Sequence, residues 1–129
     1  MLKITEKQII SVSSLTAYER YKYFIKRVAD TELMYSLKSP EGNWAISEVD
    51  ASKIFPLWSA KEFIDQCRLS GWSGFDVDEI SLEMFEDELL DFIHSEGFLL
   101  NIFPVDQYTG FVVDVNEFAK DLSEEMKNY

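Results

Sequence analysis

His94 is the one histidine of the chain and the first residue to consider for chemistry. An imidazole can act as a general base or bind a metal ion near neutral pH. A nucleophilic triad would need a serine that faces this ring, and the adjacent Ser95 does not face it on a helix. His94 falls in the last turn of a predicted helix, where a cationic ring interacts favourably with the helix dipole. We therefore interpret His94 as a structural residue.

Cys67 is the one cysteine, and its thiolate would be a nucleophile if its pKa were lowered. It shares the apolar face of a predicted helix with Phe63 and Ile64, and no basic residue lies beside it on that face. We interpret it as a small core residue. A single cysteine forms no intrachain disulfide, which fits a reducing compartment.

Carboxylates are concentrated in two stretches. Residues 76–80, "DVDEI", resemble the start of a calcium loop, but Ser81 stands where that loop needs glycine. Residues 85–91, "FEDELLD", place carboxylates on the outward side of a helix, which is typical of a solvated face. The five glycines form no phosphate-binding motif. The sequence therefore predicts no catalytic residue, no metal site and no cofactor.

Tryptophan is enriched at binding hot spots, and three are present. Trp58 precedes a predicted helix cap, where packing is the more frequent role. Trp72 lies in "LSGWSGF" between two glycines, and no packing role can be assigned to it. These two tryptophans and the nearby Asp76 and Asp78 are the predicted contact residues of a binding surface.

The charge balance limits the possible partners. Twelve basic residues against 24 acidic ones give a formal net charge of -12. This field repels phosphate backbones, so we expect no nucleic-acid partner and no anionic membrane partner, and it favours a basic protein. No apolar run approaches the roughly 20 residues of a membrane-spanning helix, and Glu6 and Lys7 interrupt the stretch that a secretion signal would need. We expect one cytoplasmic globular domain over residues 1–129.

Capping patterns predict where the helices begin. Thr16 and Glu19 form a capping box before an amphipathic helix, and a shorter helix is predicted over residues 5–12. Three further junctions share one pattern, an apolar residue and a capping residue followed four residues later by phenylalanine. The caps are Ser59, Ser81 and Asp114, and their phenylalanines are predicted to pack on one sheet: Phe63, Phe85 and Phe118.

The strand signals are short and apolar. Residues 33–37 and 44–48 are predicted to pair as a hairpin across the turn-forming segment 39–43. Pro56 predicts an edge position or a bulge for residues 54–58. Residues 98–103 predict a central strand, which forms a second hairpin with residues 111–113. The predicted class is α+β, with a mixed, mostly antiparallel sheet of about five short strands packed against four or five helices.

Several segments, in order along nearly the whole chain, resemble the bacterial family known as domain of unknown function 2750. They are "AYERYKYFIKRVAD", "SPEGNWAI", "IFPLWSAKEFIDQC", "GWSGFDVDEISLEMF" and "GFLLNIFP". The resemblance implies a single compact cytoplasmic domain, with no established activity and no catalytic residues to carry over.

The function hypothesis is a non-catalytic protein-binding or regulatory module, of the kind that neutralises a basic toxin or effector. The alternative is a small carboxylate-dependent enzyme with an aromatic-lined pocket. A homo-oligomer whose aromatic residues cover a subunit interface is a third possibility.

Overall fold

Helices and short strands alternate along the chain in the computed structural model, which describes residues 4–64, 74–105 and 109–128. The elements in order are α1 (Glu6–Ser13), α2 (Ala17–Thr31), β1 (Leu33–Lys38), β2 (Ser47–Val49), β3 (Ser52–Leu57), a 3-10 turn (Lys61–Phe63), β4 (Asp76–Ser81), α3 (Leu82–Met84), a π-helical segment (Phe85–Leu89), α4 (Leu90–Glu96), β5 (Leu99–Ile102), β6 (Phe111–Val113) and α5 (Val115–Met126). The predicted α+β class is confirmed. Within the described residues, no helix is long and apolar enough to cross a lipid bilayer.

Helix α2 begins where the capping pattern predicts, and α1 begins one residue after its predicted start. Thr16 accepts a hydrogen bond from the backbone N–H of Glu19, whose carboxylate accepts the Thr16 N–H in return. Thr5 and Gln8 form the same reciprocal pair at the start of α1. Each box satisfies backbone donors that the first helical turn leaves without an intrahelical partner. Helix α2 then packs against α5 and against β5 and β6.

The capping box of α2 makes stability depend on pH. Its hydrogen bonds from the backbone and hydroxyl of Thr16 lower the pKa of Glu19 from the ordinary 4.5. Because the folded-state pKa is the lower one, the stabilisation is present above the unfolded-state pKa and is lost as pH falls through the folded-state pKa. We expect wild type to exceed Glu19→Gln in free energy of unfolding near neutral pH, and the difference to shrink on acidification.

Urea denaturation of both proteins between about pH 7 and pH 3 checks this expectation. Glu41→Gln, at an exposed glutamate in the turn before Trp44, is the matched control and should show no such pH-dependent difference. A constant difference between wild type and Glu19→Gln across the range would contradict it.

The strands form two sheets that meet at one residue pair. The larger sheet has the order β2-β3-β5-β6, with β3 and β5 parallel and the other pairs antiparallel. The smaller sheet is the antiparallel ribbon of β1 and β4. Tyr35 of β1 and Trp58, just after β3, exchange two backbone hydrogen bonds of 2.9 Å, which attach the ribbon to the larger sheet.

The predicted hairpin of residues 33–37 with 44–48 is largely wrong. The turn does form, since Ser39 N–H donates to Asn43 O, but the pairing stops at the bridge between Lys38 and Trp44. Asp50 and the next residue have positive φ, 50° and 67°, and this second tight turn pairs β2 with β3 instead. The main partner of β1 is β4, which lies too far along the chain for local turn signals to reveal.

The predicted edge position of Pro56 is also wrong, because β3 is an internal strand. Pro56 O accepts a hydrogen bond from the Ser36 hydroxyl, while the next carbonyl, Leu57 O, accepts one from the β5 side, from Phe103 N–H. Successive residues of a strand face opposite neighbours. The proline nitrogen therefore faces away from β5, toward the side on which β2 pairs. Because that pairing ends at Ser47 opposite Ile54, the missing N–H of the proline removes no hydrogen bond from the ladder.

Two of the three shared junctions are confirmed. Ser81 Oγ accepts the Met84 N–H at 3.1 Å, and Asp114 Oδ1 accepts the Asn116 N–H at 2.7 Å. Ser59 is not a cap, because Ala60 holds the N-cap position of the 3-10 turn without a side-chain hydrogen bond. The three phenylalanines are nevertheless buried as predicted: Phe63, Phe85 and Phe118. The predicted continuation of the first of these helices to Cys67 lies outside the described residues.

A π-helical segment interrupts the helix behind Ser81. Its widened bonding, with Leu90 N–H donating to Phe85 O, adds a residue to one turn and rotates the later residues around the helix axis. As a result Ile93 is fully buried, whereas Phe92, which the sequence also assigns to the apolar face, is 39% exposed and packs on Phe98. The helix ends at Gly97, which has the left-handed conformation that glycine adopts readily.

The strand predicted to be central is β5. It lies between β3 and β6, and Leu100, Asn101 and Ile102 are all buried. The buried Asn101 is satisfied across the second predicted hairpin, because its Oδ1 accepts the Gly110 N–H at 2.7 Å. This prediction of a central strand paired with residues 111–113 is confirmed.

Candidate functional site

The two predicted tryptophans differ in what the structure describes. Trp58 is 0% exposed, and its indole N–H donates to Pro104 O at 2.9 Å. Its ring therefore packs in the core, where a partner protein cannot contact it. Trp72 lies outside the described residues.

Asp76 and Asp78 lie on the same face of β4, where Asp76 is exposed and Asp78 is partly exposed. They pair in register with Lys38 and Ser36 of β1, and side chains opposite each other in such a ribbon share one face. Lys38 Nζ lies 4.0 Å from Asp78 Oδ2 and 4.3 Å from the centre of the Trp44 ring. The structure thus brings the two predicted aspartates together, but their face of the ribbon is opposite to the one that carries Tyr35, the bridge partner of Trp58.

The predicted aspartates begin a longer acidic surface that we call the acidic segment, residues 76–91. It contains eight carboxylates in 16 residues and no lysine, arginine or histidine. All are exposed except Asp78, which is partly exposed, and three of them project from the π-helical segment: Glu86, Asp87 and Glu88. In the described ranges, the ion pair of Asp78 with Lys38 is the one salt bridge. The negative charge of this surface is therefore left almost uncompensated within the chain.

A cleft of about 440 Å³ lies on the other face of the ribbon, and we call it the bipolar cleft. It is bounded by the end of α2, the start of β1, residue Glu79 of β4 and the turn after β3. Its lining includes two cations and two carboxylates: Arg27, Lys61, Glu62 and Glu79. Tyr35 lies among them and donates its hydroxyl to Glu79 Oε2 at 3.3 Å. Burial, followed by the charges of Glu79 and Glu62, raises the pKa of Tyr35, so its phenol stays protonated at neutral pH.

Ser59 gives the bipolar cleft an unusual polar group. It lines the cleft, is 8% exposed, and its Oγ is closed to solvent without a hydrogen-bond partner. Nearly all buried polar atoms in proteins have a partner, so an unpaired hydroxyl in the wall of a cleft is an exception. The sequence pattern assigns Ser59 to a helix cap. The other cleft residues come from separate parts of the chain, and no spacing signal could have found them.

A third polar site joins two helices. Tyr21 of α2 donates to Asp121 Oδ2 of α5 at 2.6 Å, and its ring packs on Phe111. Burial first, then the hydrogen bond and charge of Asp121, raise the pKa of Tyr21 well above its ordinary value. The phenol therefore remains a neutral donor at neutral pH, and we interpret the pair as a structural link between α2 and α5.

His94 is exposed in the last turn of α4.

The comparisons with known proteins give a family but no activity. A sequence profile of the family described as "Protein of unknown function (DUF2750)" matches residues 21–122, which include the acidic segment and every described residue of the bipolar cleft except Ile4. A comparison with curated proteins found no significant match.

Proposed function

This chain belongs to the DUF2750 family, and from that premise we propose that it is a non-catalytic protein-binding or regulatory module. Its proposed partner is a basic protein, such as a toxin or effector that it neutralises. We further propose a cytoplasmic location, since the single cysteine fits a reducing compartment.

The observation that carries the proposal is the uncompensated acidic segment. A surface with a single sign of charge steers a partner of opposite sign and raises its association rate. The π-helical turn adds to this surface, because it holds Glu86, Asp87 and Glu88 outward on a helix whose other side is fixed in the core by Phe85 and Leu89. The carboxylates are therefore presented by a rigid element.

The positions of Trp58 and Trp44 favour binding over the enzyme hypothesis. A carboxylate-dependent enzyme was expected to use a pocket lined by these rings. Trp58 is inside the core, and Trp44 packs on Phe55 at 5.2 Å between ring centres while Lys38 covers it. Neither ring lines the bipolar cleft.

The test neutralises part of the acidic segment. In the triple variant Glu86→Gln, Asp87→Asn, Glu88→Gln, we expect the association rate constant for the basic partner to fall about tenfold at low salt, because steering scales with local charge. The partner is first recovered by affinity capture on immobilised wild type at low salt, and surface plasmon resonance over a series of salt concentrations then gives the rates.

The matched control removes three carboxylates elsewhere. Glu41→Gln, Glu48→Gln, Glu124→Gln changes the net charge equally at exposed positions outside the segment, and it should retain most of the association rate. Equal losses in both triple variants, or no reproducible basic partner, would contradict the proposal.

Further variants test whether the residues predicted from sequence contribute to binding of the partner: Trp72→Ala, Asp76→Asn and Asp78→Asn. Light scattering at each salt concentration detects self-association, the third possibility.

A further inference from the structure

The bipolar cleft shares Glu79 with the acidic segment, but its other residues lie outside that segment and its charge is mixed, so it suits a different ligand. We propose that it binds a small zwitterion of the α-amino acid type, with the ligand carboxylate toward Arg27 and Lys61 and the ligand ammonium toward Glu62 and Glu79.

The first argument is the balance of charge in the cleft. Two cations and two carboxylates line it, although carboxylates outnumber cations two to one in the whole chain. None of the four takes part in a salt bridge in the described ranges, so each cation lies more than 4.0 Å from each carboxylate. Opposite charges that share a partly enclosed cleft without touching leave space between them. A ligand that carries both signs can contact both groups, whereas an anion or a cation alone would meet repulsion from one of them.

The second argument is the position of each sign. The pKa of Tyr35 responds to the charges of Glu79 and Glu62, whereas that of Tyr23 responds to Arg27. The carboxylates are thus grouped around the Tyr35 phenol, and the guanidinium lies toward α2. Arg27 and Glu79 thus come from different elements of the cleft wall, α2 and β4, and a zwitterion can contact both.

The third argument is the hydroxyl of Ser59. It is buried without a partner in the wall of the same cleft. Rotation of the side chain from one staggered rotamer to another changes the direction of its Oγ by about 120°. A hydroxyl can donate to a carboxylate or accept from an ammonium, so either end of the ligand satisfies it. The remaining wall includes Ile4, Leu33 and Ala60, small and apolar enough to contact an aliphatic side chain. The volume of about 440 Å³ is sufficient for a ligand of this size.

Thermal denaturation and isothermal titration calorimetry of the full chain test the proposal. The probes are glycine, L-alanine, L-glutamate and L-lysine, and the comparators are acetate and methylammonium, which each carry one of the two charges. We expect at least one amino acid to raise the melting temperature with increasing concentration, because a ligand that binds only the folded state stabilises it. Acetate and methylammonium at the same concentration should give no comparable shift.

Variants locate the site. Arg27→Gln and Glu62→Gln should each weaken amino-acid binding about ten- to a hundredfold, since each removes a hydrogen bond between charged groups. Ser59→Ala should weaken it several-fold. Lys26→Gln is the matched control, because this neighbour of Arg27 points to a different side of α2 and should bind normally.

Several results would overturn the proposal. They are the absence of any shift with the four amino acids, an equal shift with acetate, and unchanged binding in both Arg27→Gln and Glu62→Gln. If Ser59→Ala alone raises the melting temperature and no amino acid binds, the hydroxyl holds only a buried water. The triple variant of the acidic segment should bind amino acids as wild type does, so failure of the protein-binding proposal can be told apart from failure of this one.

Discussion

Replacing Trp58 by alanine should lower the free energy of unfolding by about 3–5 kcal/mol, the range for removing a buried tryptophan from a core. This residue combines three roles that are seldom found together. Its ring is fully buried, its indole N–H satisfies Pro104 O, and its backbone forms the bridge to Tyr35. The truncation leaves a cavity and removes the hydrogen bond to Pro104 O at the point where the two sheets meet. For a domain of ordinary stability, about 5–15 kcal/mol, the loss is a large fraction of the total.

Urea denaturation followed by circular dichroism measures the effect of Trp58→Ala. Phe92→Ala is the control, since that ring is also aromatic but is partly exposed on α4, and it should cost about 1 kcal/mol or less. Trp58→Phe separates the two contributions of the side chain, because it keeps most of the volume and removes the indole donor. A loss in Trp58→Ala no larger than that in Phe92→Ala would contradict the core role of this tryptophan.

Gly110→Ala should destabilise the protein by about 1–3 kcal/mol, the usual cost of overpacking. A Cβ at this position would overlap the carbonyl oxygen of Ile102 and would lie 2.7 Å from its carbonyl carbon and 2.8 Å from that of Phe103. All three atoms belong to the backbone, so no side-chain rotation relieves the overlap. The β5 to β6 hairpin would have to open, and the hydrogen bond from Gly110 N–H to Asn101 would lengthen.

Gly74→Ala is the matched control for this substitution. A Cβ there meets no atom within 4 Å. The two substitutions restrict the unfolded chain equally, and that restriction alone is stabilising by a few tenths of a kcal/mol to about 1 kcal/mol. The difference between the two variants in urea denaturation therefore isolates the clash. If both variants have the same free energy of unfolding as wild type, the close approach of Gly110 to β5 is not required for stability.

Features determined by neighbouring residues could be predicted from the sequence. The caps at Thr16, Ser81 and Asp114 need only groups within three residues, and the buried phenylalanines follow from helical spacing. Ser59 has the same local pattern, but burial in the wall of a cleft overrides it. The π-helical turn has no sequence signature, and it moves Phe92 off the apolar face.

Pairing between distant segments could not be predicted. Turn chemistry correctly located the reversal after Lys38, yet the partner of β1 is β4, more than 35 residues away along the chain. The bipolar cleft has the same origin, because its residues come from α2, β1, β4 and the turn after β3, which are separate along the chain. Trp58 is buried in the core, whereas Asp78 lies on the face of the ribbon opposite to Tyr35, the bridge partner of Trp58. The predicted binding surface therefore separates into a core residue and two aspartates on another face.

The connection of the ribbon to the larger sheet bears on how the chain reaches its native state. Residue pairs such as Leu33 with Ser81, and Ile54 with Leu99 in the parallel pair, close long loops, whereas the short β2 to β3 turn closes a small one. Loop closure is entropically costly before contacts form, and proteins rich in such non-local pairs have slow folding rates. The β1–β4 ribbon joins the larger sheet through the Tyr35–Trp58 bridge and the hydrogen bond from Ser36 to Pro56 O. We therefore expect it to dock late and to separate first during partial unfolding.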